Sequence, residues 1–167
     1  MTTGQVVATC VLVALLSMLI PAAIATPSMG ALRLASAKLP GTPPAVVFAI
    51  VWPILYALIG VAVVLLATRP ATSCTPAVQW TALGLLLAQL AVNWAWTPVF
   101  VSKNKLGATV MVLVMLMATG TATALCTRAQ VVSAALLAPY FVWLIYALLL
   151  SSSAFAQQAA GGSEATL

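Results

Sequence analysis

The chain of 167 residues contains no histidine and one acidic residue, Glu164, close to its C-terminus. Only 4% of its residues are charged, whereas a typical soluble domain has about 25%. General acid–base catalysis needs a titratable group beside the reacting atoms, and proton-coupled transporters need an ionisable group at membrane depth. No acidic, basic or imidazole side chain lies within an apolar run. The sequence therefore disfavours acid–base enzymes and proton-driven exporters.

Cysteine and basic residues are also few. Cys10, Cys74 and Cys126 form an odd set without metal-ligand spacing, so we expect neither a disulfide framework nor a metal site. The net charge of +5 does not indicate a nucleic-acid partner, because the basic residues lie in the breaks between apolar runs, where they are typical of membrane boundaries. These residues are Arg33, Lys38, Arg69, Lys103, Lys105 and Arg128.

Apolar residues make up 64% of the chain, and the mean hydropathy is +1.19. A helix needs about 20 apolar residues to cross a bilayer, and the runs predict an all-α integral membrane bundle of five helices. The predicted spans are about 6–25, 45–67, 78–101, 106–126 and 131–150, within one domain over residues 1–155. Residues 156–167 are predicted to form a disordered tail.

The first run also allows another interpretation. Ala22 to Ala25 resembles the cleavage site of a signal peptide, although no positive charge precedes the run. For a retained span, the loops after spans one and three hold four basic residues and the other two loops hold two. The positive-inside rule then predicts a cytosolic C-terminus.

The third run carries polar side chains that hydrocarbon does not favour. Gln89, Asn93 and Trp96 lie at i, i+4 and i+7, on one face of a helix. An unpartnered buried amide costs about 2–7 kcal/mol, so this face should turn towards protein. We expect Gln89 and Asn93 to hydrogen-bond a neighbouring helix or the carbonyl freed by Pro53, in preference to contacting a ligand.

Aromatic residues are the remaining chemistry within the runs. Trp52 and Trp143 lie several residues inside their spans, which makes interfacial anchoring a poor explanation for them. Such rings can line a slot for a flat apolar ligand, while ordinary helix packing is the alternative. The candidate set is Trp52, Tyr56, Trp94, Trp96, Tyr140, Trp143 and Tyr146. Gly84 and Ala88 form a small-xxx-small pair that permits close contact between helices.

Several motifs resemble, in the same order, those of the TspO/MBR family, also called translocator proteins, peripheral benzodiazepine receptors or tryptophan-rich sensory proteins. The segment 93–100, NWAWTPVF, resembles the family's NWAWxPxFF, and 89–91, QLA, is similar to the start of QLALN. Residues 38–44 resemble KPPFTPP, residues 44–56 resemble PPxWVFxPVWxxLY, and 139–143 resembles PYLAW. The resemblance covers about residues 5–155.

This resemblance implies five membrane helices, a homodimer, and a pocket that opens towards the loop after span one. It implies porphyrin, haem-related, sterol or benzodiazepine-type ligands, and it argues for a retained first span. By resemblance, Trp52 and Trp143 match pocket tryptophans linked to porphyrin binding and light-dependent breakdown. Asn93 and Trp94 match the third-helix signature, and the pair at 84 and 88 matches a dimer contact.

The chain also departs from the family's pattern. Leu34 and Ala35 replace an aromatic pair in the first loop, Val112 replaces an aspartate, and Ser151 replaces an asparagine. No basic residue follows Tyr146, so the sterol motif is absent there, which weakens a specific cholesterol assignment.

We therefore expect a receptor or translocator of flat hydrophobic ligands, chiefly porphyrin or haem, with no resident cofactor. The predicted ligand-binding residues are Trp52, Trp143, Tyr56, Asn93, Trp94, Tyr140 and Ala147. The predicted dimer contact is Gly84 with Ala88. Light-dependent porphyrin degradation and a purely structural role through helix contacts are the alternatives. The bacterial inner, mitochondrial outer and other eukaryotic membranes all remain open.

Overall fold

A computed structural model describes residues 41–68, 75–102, 104–129 and 131–164, together with positions 5, 8, 11, 12, 15, 16, 19, 23 and 30. These isolated positions are helical and exposed. The rest of the predicted first span and the loop up to residue 40 lie outside the described residues, as do Cys10 and Cys74. The first-loop departures at Leu34 and Ala35 lie there too.

Four long helices account for most of the described chain. They are α1 (Ala45–Thr68), α2 (Pro76–Val101), α3 (Lys105–Ala129) and α4 (Val131–Glu164), and they correspond to predicted spans two to five. Each contains a stretch that is long and apolar enough to cross a membrane. The all-α membrane prediction is confirmed, although the described residues hold four such helices rather than five.

The helix ends follow local chemistry. α2 begins at Pro76, directly after Thr75. The N–H of a first helical residue has no acceptor within the helix, so a proline, which lacks this N–H, loses no hydrogen bond there. Asn104 caps α3, because its Oδ1 accepts a 2.8 Å hydrogen bond from the backbone N–H of Gly107. Lys105 Nζ donates to the carbonyl of Phe100, and a cation suits the C-terminal end of α2.

The helix that carries the last predicted span does not end at Leu150, since α4 continues to Glu164. The segment predicted to be a disordered tail is thus helical over residues 156–164. Its alanines and glutamines favour helix, and the added turns are anchored. Thr109 Oγ1 donates a 3.0 Å hydrogen bond to the carbonyl of Ser151, and buried Ala154 packs with Phe100 and Ala108.

The helices pack α2 against α3, α3 against α4, and α4 against α1. Leu55, Ile59, Leu86, Leu137 and Leu144 belong to one continuous core between them. Large apolar side chains also cover the outside, which is expected where the solvent is lipid. They include Val46, Ile50, Leu87, Val110, Met117, Val132 and Leu149.

Candidate aromatic ligand site

The two tryptophans singled out from the sequence meet between α1 and α4. The ring centroids of Trp52 and Trp143 are 6.2 Å apart, and the ring planes form an angle of 83°. This edge-to-face arrangement is one that aromatic quadrupoles favour. Both side chains are half-buried. The structure thus brings together two residues that are 91 positions apart in the chain.

Three further rings extend this contact. Tyr56 stacks on Trp52 with centroids 5.3 Å apart and an interplanar angle of 26°. Phe48 and Tyr146 contact Trp143 at 5.7 Å and 5.4 Å. Residues 48, 52 and 56 lie on one stripe of α1 because they are four positions apart. We call these five residues the aromatic cluster.

A groove of about 290 Å³ adjoins the cluster on the outside of the bundle. It is lined by Val51, Ile54, Leu55, Pro139, Val142, Trp143 and Tyr146. The side chain of Ile54 is 54% exposed and that of Val142 is 65% exposed, so the groove is open towards the surrounding bilayer. Its lining side chains are aliphatic or aromatic, which suits a hydrophobic ligand.

Behind the cluster lies a chain of side-chain hydrogen bonds through three helices. Tyr56 donates to Asn93 Oδ1 at 2.5 Å. Asn93 Nδ2 lies 3.3 Å from the Tyr140 oxygen, and the Tyr140 hydroxyl donates to Gln89 Oε1 at 2.8 Å. All four side chains are buried. The expectation that the two amides bond a neighbouring helix is therefore confirmed. Tyr140 is fully buried in this network and does not line the groove.

The remaining predicted ligand residues, Trp94 and Ala147, are not among the residues that line the groove. Both are half-buried against the main core. The indole N–H groups of Trp94 and Trp96 are buried and have no acceptor within the described structure. Trp94 therefore presents a donor inside the bundle, and its predicted role in ligand binding stays a prediction.

Gly84 and Ala88 lie on the outer face of α2, where both are exposed. A Cβ atom added at Gly84 would meet no heavy atom within 4 Å. Packing between the described helices therefore does not explain why position 84 is a glycine.

Phe48 and Tyr146 were missing from the predicted ligand site, although both contact Trp143. Their spacing offered a signal, because Phe48 precedes Trp52 by one helical turn and Tyr146 follows Trp143 by one turn. The groove residues Val51, Ile54, Pro139 and Val142 carried no such signal, since apolar residues in a membrane span face lipid, a neighbouring helix or a groove without any difference in type.

The site's chemistry is that of ring faces and hydrogen-bond donors. Within the described residues no group of three or more histidine, cysteine or acidic side chains could hold a metal ion. Aromatic faces offer stacking surface, and buried N–H groups offer directional bonds to an acceptor on a ligand.

The helices are apolar and long enough to span a membrane, and their outward side chains are apolar as well. Together with the half-buried aromatic site between α1 and α4, these features define an integral membrane helical protein. A profile of the TspO/MBR family matches residues 6–156. The chain therefore belongs to the TspO/MBR family.

Individual relatives agree with this assignment. The chain is 34% identical to the translocator protein of sheep (Ovis aries) over 115 residues, which cover 68% of this chain and 67% of the sheep protein. It is 32% identical to the translocator protein of cattle (Bos taurus) over the same shares of the two chains. The match to the translocator protein of pig (Sus scrofa) is 39% identical over 70 residues, or 41% of each chain.

Proposed function

We propose that this chain binds a flat, largely apolar ligand of the porphyrin or haem class at the aromatic cluster, and that it acts in the transport, sensing or disposal of that ligand. The observation that carries the proposal is the contact between Trp52 and Trp143, with centroids 6.2 Å apart. Two large rings at right angles offer one face and one edge to a planar guest. A sterol is a weaker candidate, because the basic residue of the sterol motif is absent after Tyr146.

The adjoining groove supports the same ligand class. A planar macrocycle dissolved among acyl chains would reach Trp143 through the opening beside Ile54 and Val142, without crossing a polar surface. Inside the bundle, the indole N–H of Trp94 can donate to an oxygen on the ligand's periphery. Tyr56 and Asn93 hold the inner side of the site through their mutual hydrogen bond.

The test is a titration of the purified protein with protoporphyrin in detergent micelles, monitored through the porphyrin's own Soret absorbance. The Trp52→Ala, Trp143→Ala double variant should lose at least about tenfold in affinity, since an aromatic contact contributes roughly 0.5–1.5 kcal/mol beyond the area it buries. Trp80→Ala is the matched control, because Trp80 is 61% exposed at the start of α2. Equal affinity of the double variant and the wild type would remove the proposal.

Light-driven oxidation of the porphyrin, with dissolved molecular oxygen as the oxidant, is the enzymatic alternative. The stacking of Tyr56 on Trp52 favours it because it adds a third electron-rich ring to the tryptophan pair. In the same micelles, the Soret band should then decay faster under illumination with wild-type protein than with Trp143→Phe. Equal decay with both proteins leaves binding without degradation.

The architecture that goes with this function is a bundle of five helices, with residues 6–25 as the first, assembled as a homodimer. The exposed pair at Gly84 and Ala88 supports a dimer contact on α2, since small residues let two helix backbones approach closely. A purely structural role would rest on the same face. The excess of basic residues in the loops after spans one and three supports a cytosolic C-terminus.

A further inference from the structure

Tyr146 connects the aromatic cluster to the segment that leads into α1. Its ring lies 5.4 Å from that of Trp143 and forms part of the groove wall. Its hydroxyl donates a 2.7 Å hydrogen bond to the carbonyl of Gly41, which is 105 residues away in the chain. One side chain therefore forms a wall of the site and also anchors a segment beside it.

We call residues Gly41–Pro44 the strap. Gly41 has a φ of +77°, a left-handed conformation that glycine adopts without the steric penalty of a Cβ atom. Pro43 and Pro44 fix their own φ angles and stiffen the rest of the strap. The hydroxyl oxygen of Thr42 is buried, so the strap is packed at that point. After Pro44 the chain enters α1 and reaches Phe48, which contacts Trp143.

We propose that Tyr146 is a positioning residue that holds the strap against the aromatic cluster and thereby sets the rate at which ligand enters and leaves the groove. The inference rests on the proposed function, and it concerns exchange rather than affinity. The groove is walled by Tyr146, and the hydrogen bond restricts how far that ring can turn away. A ligand that enters beside Ile54 and Val142 meets Tyr146 as part of the groove wall, and it displaces that ring only when the bond to Gly41 opens.

The proposed contact uses only the hydroxyl of Tyr146, so a conservative substitution at this residue can test it. Tyr146→Phe keeps the ring against Trp143 and removes the donor to Gly41. The matched control is Ser153→Ala on the same helix, because the Ser153 hydroxyl donates only to the Leu149 carbonyl within α4. Gly41→Ala loosens the same contact from the other side, since an alanine is strained at a positive φ.

The kinetic experiment mixes purified protein in micelles with protoporphyrin and follows association and dissociation by stopped-flow absorbance. In Tyr146→Phe both rates should rise about three- to tenfold, which is the effect of losing one ordinary hydrogen bond, while Kd changes less than either rate. Ser153→Ala should match the wild type. The Gly41→Ala, Tyr146→Phe double variant should be no faster than the faster single variant, because both changes release one bond.

A second measurement follows hydrogen exchange at the backbone amides of Gly41 and Thr42 without ligand. We expect faster exchange in Tyr146→Phe and wild-type exchange in Ser153→Ala. Unchanged amide exchange in Tyr146→Phe would show that the Tyr146 hydroxyl does not hold the strap. Faster amide exchange with unaltered ligand rates would show that the strap does not control ligand exchange, while the proposed function stands. A wild-type protein that binds no protoporphyrin overturns the proposed function and with it the ligand-exchange role of Tyr146, and the amide exchange then reports on the hydrogen bond alone.

Discussion

The hydroxyl of Tyr56 in α1 donates a 2.5 Å hydrogen bond to the side-chain oxygen of Asn93 in α2. Few other contacts join these two helices directly, because α1 packs chiefly on α4. The ring of Tyr56 stacks on Trp52. The bond therefore ties the rotation of α1, and with it the orientation of the aromatic cluster, to the polar face of α2.

Replacing Asn93 should weaken the bundle. In Asn93→Leu the Tyr56 hydroxyl loses its acceptor while it stays buried, so we expect the free energy of unfolding to fall by about 1–3 kcal/mol. Denaturant unfolding in micelles, monitored by circular dichroism, measures this change. Thr81→Val is the control, since its hydroxyl bonds only the Ala77 carbonyl on the exposed face of α2. If Asn93→Leu proves as stable as this control, the hydrogen bond between Tyr56 and Asn93 does not contribute to the stability of the bundle.

Replacing glycine by leucine should change the free energy of unfolding differently at Gly120 and at Gly84. A Cβ atom on Gly120 would lie 3.0 Å from Phe141 Cε2, whereas one on Gly84 would meet nothing within 4 Å. We expect Gly120→Leu to lower the free energy of unfolding by about 1–3 kcal/mol through overpacking, and Gly84→Leu to leave the stability of the protomer unchanged or raised. Thermal unfolding in micelles compares the two variants.

Phe141→Ala should then restore part of the stability lost in Gly120→Leu, because it removes the ring that the new side chain meets. A double variant that is less stable than Gly120→Leu would show that the clash lies elsewhere.

The same Gly84→Leu variant tests the proposed dimer. A branched side chain at Gly84 would hold two copies of α2 apart, so we expect a shift from dimer to monomer in detergent, measured by light scattering coupled to size-exclusion chromatography. Ala138→Leu, an exposed position on α4, should leave the mass unchanged. A variant at Gly84 that stays dimeric would place the contact on another face.

The last turns of α4 should depend on Ala154. This residue is 6% exposed and packs with Phe100 and Ala108, while Ala156 is exposed. A glutamate at position 154 would place a larger, polar side chain where a methyl group packs against Phe100 and Ala108. Limited proteolysis should therefore cut Ala154→Glu near residues 151–160 several-fold faster than Ala156→Glu or the wild type. Equal cleavage of the three proteins would mean that this contact does not hold the extension in place.

Hydropathy and spacing were enough to locate the described membrane helices, because about 20 consecutive apolar residues have few stable solutions other than a span. The bounds of α1 and α2 differ by no more than two residues from those predicted. The extension of α4 was not predictable in this way. Ser151 and the alanines after it look polar or neutral in sequence, and their helix is held by Thr109, Phe100 and Ala108 from other parts of the chain.

The candidate site divides along the same line. Residue type indicated that Gln89 and Asn93 had to face protein, since buried amides need partners. Position within the predicted spans indicated that Trp52 and Trp143 lay too deep for an interfacial belt. The partners themselves came from the rotation and pairing of helices that are far apart in sequence. Tyr140, the partner of Gln89, lies 51 residues from it in the chain, and Gly41, the partner of Tyr146, lies 105 residues from it. No periodicity within one helix encodes such a pairing.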